Sequence, residues 1–185
     1  MALGAKKMET RSWAPKQDLV GQLLAIHAAK SFPKGCAVTA REDPDFEHAL
    51  RQGGYHHTNK LPTGKLIAVG RLEEVWIIEM RNGMLWLESL PESGHIVTKP
   101  IPERLTPEYK FGDYSRGRYV WEFSTVVPLL EYISCSGMLG VWAVPADGAL
   151  MVARDLRLSG QKDWAHEITW RTTQQPEVRL EDLYV

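Results

Sequence analysis

Three charged side chains near the start of the chain have the types and the spacing of a binding or catalytic group. They are Lys6, Glu9 and Arg11. If residues 8–12 are extended, Glu9 and Arg11 fall on one face, because side chains alternate along a strand, and Lys6 lies at the entry of that strand. An Arg offers a planar fork for a phosphate or a base edge, a Lys is a movable charge, and a Glu accepts from an exocyclic amine. The alternative is an ordinary surface ion pair, which stabilises little.

A second polar segment, residues 112–119, reads Gly-Asp-Tyr-Ser-Arg-Gly-Arg-Tyr. Its two glycines indicate a turn, and a Tyr that stacks on a base beside an Arg is a common device for binding nucleic acid. We therefore expect Tyr114, Ser115 and Arg118 on the surface as ligand contacts. The alternative is a turn closed by the side chain of Asp113 or Ser115, without a role in binding.

Trp13, His27, His56 and His57 each have a functional and a structural interpretation. Trp13 is either a stacking platform for a base or a cap over the core. His27 lies in an apolar run, where a lone His is more often a hydrogen-bonded core residue than a ligand. Neighbouring residues of an extended chain point in opposite directions, and no Cys or carboxylate stands at ligand spacing from the His pair. We therefore expect neither a bound metal nor a cofactor.

The composition is that of an ordinary globular protein and excludes several classes. The 185 residues include 22 basic and 23 acidic side chains, so the net charge is −1 and a histone-like coat for nucleic acid is excluded. The length is enough for one domain with a hydrophobic core. The two cysteines, Cys36 and Cys135, predict reduced and largely buried thiols. No signal peptide or membrane-spanning stretch is recognised, which predicts a cytoplasmic protein without a membrane partner.

The elements that must position these residues are mostly strands. Short apolar and β-branched runs predict strands over 19–29, 65–80, 117–129 and 137–145. A short helix is predicted over 41–54, begun by Asp43 or Asp45 and ended by Gly53-Gly54. Residues 81–117 hold four prolines and predict loops and short elements. Because strands and helices do not alternate as βαβ units, the pattern favours an α+β fold, a small and mostly antiparallel β-barrel with short helices attached.

One motif is more informative about the family of the chain than any other segment. Residues 4–11 read Gly-Ala-Lys-Lys-Met-Glu-Thr-Arg, which is the pattern G-x-K-x-x-E-x-R. This resembles the signature of the ASCH domain, the activating-signal-cointegrator homology family with a PUA-like β-barrel fold. Three later blocks resemble further motifs of that family and come in the family order: 11–30, 111–121 and 137–142. The resemblance covers roughly residues 4–145 and does not explain the tail.

The resemblance implies a fold, a function and a set of site residues. Residues 1–145 would form a PUA-like ASCH barrel without the family's first strand and helix, since Met1 stands three residues before Gly4. Residues 146–185 would be a C-terminal extension that packs on the barrel or on a partner. ASCH domains resemble RNA-binding PUA domains, so the protein is expected to bind RNA or a nucleotide in a basic cleft at the barrel mouth, as a monomer or homodimer. The implied contacts are Lys6, Arg11, Trp13, His27, Tyr114, Ser115 and Arg118.

Two other functions stay open. Some ASCH-like proteins are hydrolases, either amidohydrolases that remove an acyl group from N4 of a modified cytidine or ribonucleases. That resemblance matches Lys6 to the signature Lys of the amidohydrolases. A Lys-assisted hydrolysis of another kind also stays open, with Lys6 as the base and Glu9 or, more weakly, Glu108 as its partner. The amidohydrolase type has a Thr three positions after the Lys, whereas this chain has Glu9 there. The other function is a protein-interaction scaffold that uses Trp164 and Trp170 of the tail as anchors.

Overall fold

The computed structural model of the protein describes residues 1–31, 42–90 and 96–174. Within these ranges the chain forms the strands β1 (Met8–Arg11), β2 (Leu23–Ala28), β3 (Lys65–Arg81), β4 (Met84–Ser89), β5 (Thr98–Pro100) and β6 (Tyr119–Ser134). The α-helices there are α1 (Pro44–Gln52), α2 (Pro107–Lys110), α3 (Ala146–Leu158) and α4 (Lys162–Gln174), and single 3₁₀ turns span Gln17–Leu19 and Thr58–Lys60. None of these described helices has the length and apolar character needed to cross a bilayer. Cys36 lies outside the described ranges, and Cys135 is a free, half-buried thiol.

The strands pair into one sheet with the order β1-β6-β3-β4-β5, and β2 also pairs with β3. The pairing is antiparallel, with Met8 opposite Glu122 at one end and Trp86 opposite Pro100 at the other. Together with the helices, this sheet confirms the predicted α+β class. The predicted barrel is wrong for the described residues, because the sheet does not close. The four residues of β1 and the three residues of β5 form its two ends, and each of these short strands pairs along one side.

The chain divides into two compact units, and the first comprises mainly Leu3–Gly21 and Arg71–Val126. The buried residues of its core cluster are Trp76, Ile78, Leu87, Tyr114 and Val120. Met8 of β1 packs against this cluster. Because side chains alternate along a strand, Glu9 and Arg11 are directed to the other face of β1.

The second unit comprises mainly Gln22–Gly70 and Val127–Val185, as far as these ranges are described. Its core joins strand residues to one face each of α3 and α4: Leu23, Ala25, Leu66, Val69, Leu129 and Ile133 with Val152, Ala153, Leu156, Ala165 and Ile168. The helical members recur at the three- and four-residue spacing of an amphipathic helix. Asp155 is buried beside them. Its carboxylate oxygens accept from the backbone N–H groups of Leu130 at 3.0 Å and Glu131 at 2.8 Å.

Local sequence signals predict α1 and three of the strands correctly. Asp43 is the N-cap of α1, because its Oδ1 accepts from the backbone N–H groups of Asp45 at 2.9 Å and Phe46 at 3.3 Å. The helix ends at Gly53. The strands expected over 19–29, 65–80 and 117–129 are β2, β3 and β6.

Residues 81–117 form loops and the short elements β4, β5 and α2, as predicted. Asn82 and Gly83 both adopt positive φ and form the tight turn between β3 and β4. Beyond β6 the predictions of local structure are wrong. Residues 137–145 form no extended strand, since Gly140 has a φ of 80° and leaves the extended conformation. Residues 146–174, for which no helix was predicted, form α3 and α4.

Candidate functional site

The three charged residues at the start of the chain meet around the carboxylate of Glu9. Lys6 Nζ lies 3.0 Å from Glu9 Oε2, and Arg11 Nε lies 3.3 Å from Glu9 Oε1. The extended backbone of β1 puts Glu9 and Arg11 on one face. Gly4, with a φ of 75°, turns the chain ahead of Lys6. The structure therefore brings together the three residues that the sequence singles out, with the carboxylate between two cations.

The ammonium group of Lys6 is buried and held by the protein. Lys6 is 9% exposed, and besides its ion pair with Glu9 it donates to the carbonyl oxygen of Phe111 at 2.9 Å. In both contacts the ammonium group donates, whereas a general base must accept a proton. These contacts fit a structural link between β1 and the segment at Phe111.

The side chains of Arg11 and Trp13 lie on the solvent side of this cluster. The Arg11 side chain is 51% exposed and Trp13 is 37% exposed. Trp13 is fixed by an edge-to-face contact with the buried Trp121, at 4.9 Å between ring centroids. Trp121 is directly opposite Glu9 in the strand register. The exposed guanidinium and indole groups are thus both anchored on one cross-strand pair, and we call the two exposed side chains the Arg11–Trp13 surface.

Thr10 ties the second polar segment to β1. Its Oγ1 accepts from the backbone N–H of Asp113 at 2.8 Å, and its carbonyl oxygen accepts from Arg118 at 3.4 Å. Arg118 Nε also lies 3.3 Å from Asp113 Oδ2. The Arg118 guanidinium is therefore engaged by the protein and holds the turn in place.

Tyr114 is buried, so the prediction that it lies on the surface is wrong. It is 3% exposed and stacks on Tyr109 with 5.2 Å between the ring centroids. Burial, and then the nearby carboxylate of Glu108, raise the pKa of the Tyr114 hydroxyl. Gly112 permits this packing, because a Cβ there would lie 2.6 Å from the Tyr114 ring. Tyr114 is accordingly a core residue.

Asp113 and Ser115 close the turn, as the structural interpretation of this segment expects. Asp113 Oδ1 accepts from the backbone N–H of Ser115 at 3.1 Å and from its hydroxyl at 2.7 Å. The hydroxyl bond, with a smaller effect of Arg118, lowers the pKa of the Asp113 carboxyl. Ser115 is exposed, and its hydroxyl serves the turn.

We expect Ser115→Ala to raise the pKa of Asp113 toward its ordinary value of 3.8. The native carboxyl titrates below that value. Its stabilising effect is therefore present above pH 3.8 and is lost as the pH falls through the lower pKa of the folded state. An NMR titration of the Asp113 side-chain carbon measures the shift. Ser115→Thr, which keeps the hydroxyl, is the control, and an unchanged pKa in Ser115→Ala would contradict the assigned cause.

Glu108 holds the start of β1. Its Oε2 accepts from the backbone N–H of Lys7 at 2.7 Å, and its Oε1 accepts from that of Met8 at 3.0 Å. Both carboxylate oxygens thus bind backbone donors of the first unit. These contacts favour a structural role for Glu108 over the role of a partner to a catalytic Lys6.

His27 belongs to the second unit, where it lies in β2. Its Nε2 is 3.0 Å from the carbonyl oxygen of Cys135, and its ring meets Trp142 edge-on with 5.7 Å between centroids. A carbonyl oxygen can only accept, so Nε2 is the donor. His27 is therefore hydrogen-bonded, as its structural interpretation expects, and it also lines a cleft.

Comparisons with known proteins do not decide the family. No family model matches the chain, and no curated protein matches it. The ASCH resemblance stays a prediction that rests on the motifs of this sequence. Among residues 1–31, 42–90 and 96–174, no three His, Cys, Asp or Glu side chains are grouped so as to hold a metal ion.

Two contributors to the first-unit site were missed by reasoning from the sequence. Trp121 is buried, at 5% exposure, and its contact with Trp13 was not foreseen. The carbonyl oxygen of Phe111 as the acceptor for Lys6 was not foreseen either. The Trp13–Trp121 contact was not foreseen because it depends on the pairing of β1 with β6, and the register of that pairing places Trp121 opposite Glu9.

Proposed function

We propose that the first unit binds single-stranded RNA or a nucleotide through the Arg11–Trp13 surface, the function that the ASCH resemblance implies. The observation that supports this most is the exposed indole and guanidinium groups anchored on the same strand pair. An exposed aromatic ring stacks on any base, with a contribution of about 1–3 kcal/mol per base. A guanidinium group binds a phosphate or a base edge through its planar fork.

The anchoring of both side chains favours binding. Trp121 restrains Trp13, and Glu9 restrains Arg11, so less conformational freedom is lost when a nucleotide binds. The negative charge of Glu9 is balanced by Lys6 as well as by Arg11, which limits its repulsion of a phosphate. Lys6 supports the surface in this way from a buried position.

We expect Trp13→Ala to weaken the binding of a short oligouridylate by about 5- to 150-fold, the equivalent of the stacking energy of one base. We expect Arg11→Ala to weaken it as well and to make the slope of log K against log salt less steep by about 0.7, because one phosphate contact is lost. Fluorescence anisotropy over a series of salt concentrations measures both effects.

The chain offers a matched control for each variant. Trp170, 53% exposed in α4, and Arg116, whose side chain is 65% exposed and paired with Glu79, lie outside the surface. Trp170→Ala and Arg116→Ala should leave the affinity and the salt slope unchanged. Absence of binding at low salt, or equal losses in test and control variants, would contradict the proposal.

The hydrolase function stays a prediction. It would use the Lys6–Glu9 pair, whose contacts favour binding without turnover. Incubation with N4-acetylcytidine and with RNA tests it, and product formation that Lys6→Met abolishes while the protein stays folded would establish the enzyme instead. The cytoplasmic location and the monomeric or homodimeric state are likewise predictions from the sequence.

A further inference from the structure

We propose that a cleft in the second unit is a separate binding site for a small phosphate ester that carries hydroxyl groups. The cleft has a volume of about 880 Å³. Its lining joins His27, Lys30, Thr63 and Ser134 and the backbone of Cys135 and Gly137 to the apolar Met138 and Leu139. This volume lies in the range of about 300–1,000 Å³ that is typical of small-molecule sites. The site does not depend on RNA binding by the first unit.

The His27 ring is held in one orientation and one tautomer. Its Nε2–H donates to the carbonyl oxygen of Cys135 at 3.0 Å. The backbone of Cys135 is itself fixed, because its N–H donates to the carbonyl oxygen of Gly64 at 3.1 Å. With Nε2 bound to this carbonyl, Nδ1 is the ring nitrogen that has no hydrogen-bond partner among the described residues and remains for a ligand. A ligand hydroxyl is the group that satisfies it.

Gly137 packs directly against the His27 ring. A Cβ at this position would lie 2.4 Å from His27 Cε1 and 2.8 Å from Nδ1, so a side chain here would force the ring to shift. Bare backbone at Gly137 therefore both fixes the ring and keeps this wall of the cleft open. A rigid wall of this kind reduces the entropy that a ligand must overcome on binding.

Lys30 supplies a positive charge at the same cleft. It is exposed, and its aliphatic stem packs beside Gly64, where an added Cβ would lie 3.8 Å from Lys30 Cβ. Within the part of the chain that the structure describes, its ammonium group has no ion pair or hydrogen bond. An ammonium group without a carboxylate partner is a ready contact for a phosphate. The hydroxyls of Thr63 and Ser134 add neutral donors.

Cys135 contributes its backbone to this site. Burial, and then the carboxylate of Asp147, raise the pKa of the Cys135 thiol. The thiol is therefore protonated at neutral pH and is a poor nucleophile. These properties favour binding over thiolate chemistry in the cleft.

The test is an NMR titration of the full chain with three probes: inorganic phosphate, ribose and ribose 5-phosphate. We expect ribose 5-phosphate to bind more tightly than either part alone, with shifts at cleft residues. Lys30→Ala should weaken both phosphate-bearing probes by about tenfold. His27→Gln, whose amide can still donate to the Cys135 carbonyl, should weaken ribose 5-phosphate and leave inorganic phosphate unchanged.

Lys60→Ala is the matched control, because Lys60 is exposed in the same unit and outside the cleft. It should bind all three probes as the wild type does. Cleft residues that do not shift with any probe, or equal losses in Lys30→Ala and Lys60→Ala, would overturn the proposal. Trp13→Ala separates the two sites, since it should weaken oligouridylate binding and keep the binding of ribose 5-phosphate.

Discussion

Asp155→Ala should lower the free energy of unfolding by about 2–4 kcal/mol. Asp155 is 6% exposed, and each of its carboxylate oxygens accepts from a backbone N–H of β6, those of Leu130 and Glu131. A hydrogen bond to a charged group contributes about 1.5–3 kcal/mol. The substitution removes two of them and the link that they make between α3 and β6. Urea unfolding of the variant and the wild type measures the difference.

Two further variants separate this link from an effect on the helix itself. Asp155→Asn keeps one acceptor oxygen and should lose about half as much stability as Asp155→Ala. Arg154→Ala changes an exposed neighbour on the same helix and should stay within about 0.5 kcal/mol of the wild type. A loss under 1 kcal/mol in Asp155→Ala, or an equal loss in Arg154→Ala, would contradict the assigned role.

Lys6→Met is expected to lower the free energy of unfolding by about 1.5–3 kcal/mol. Met keeps most of the buried side-chain volume and removes the donor to Glu9 and to the Phe111 carbonyl. A buried ion pair that loses one partner usually costs about 3–5 kcal/mol. Because the Glu9 side chain is 28% exposed, water screens part of this loss. Thermal and urea unfolding measure it.

A double-mutant cycle with Glu9→Gln isolates the pair from the other contacts of Lys6. The double variant has no unpaired carboxylate beside the removed ammonium. It should therefore be more stable than the sum of the two single losses predicts, with a coupling energy of about 0.5–3 kcal/mol. Additive losses would show that Lys6 and Glu9 act independently, and the structural role of the pair would then be wrong.

The parts of the fold that the sequence predicts correctly depend on neighbouring residues. Asp43 lies next to the N–H groups that it caps, and the alternation that puts Glu9 and Arg11 on one face needs only an extended backbone. Lys6 meets these two residues because it lies only a few positions before them in the chain. Local spacing is therefore enough to find the charged cluster.

The errors concern contacts between distant parts of the chain. The residues around Tyr114 are typical of a surface turn, but Gly112 lets the Tyr114 ring pack against Tyr109 in the core. The structural contacts of Glu108 were missed in the same way: only the fold shows that it binds the backbone of Lys7 and Met8, about 100 positions earlier. Within the described residues the sheet ends at the short strands β1 and β5, whose pairing the apolar pattern does not reveal.

Fluorine NMR of the protein labelled with 5-fluorotryptophan gives the most direct test of RNA binding at the Arg11–Trp13 surface. The chain has seven Trp residues, and Trp13→Phe assigns the resonance of Trp13. On addition of a short oligouridylate, the Trp13 resonance should shift saturably, because a stacked base changes the field at the indole ring. The Trp170 resonance should stay in place. A Trp13 resonance that does not move while RNA is present in excess, or a larger shift at Trp170, would contradict the proposed surface.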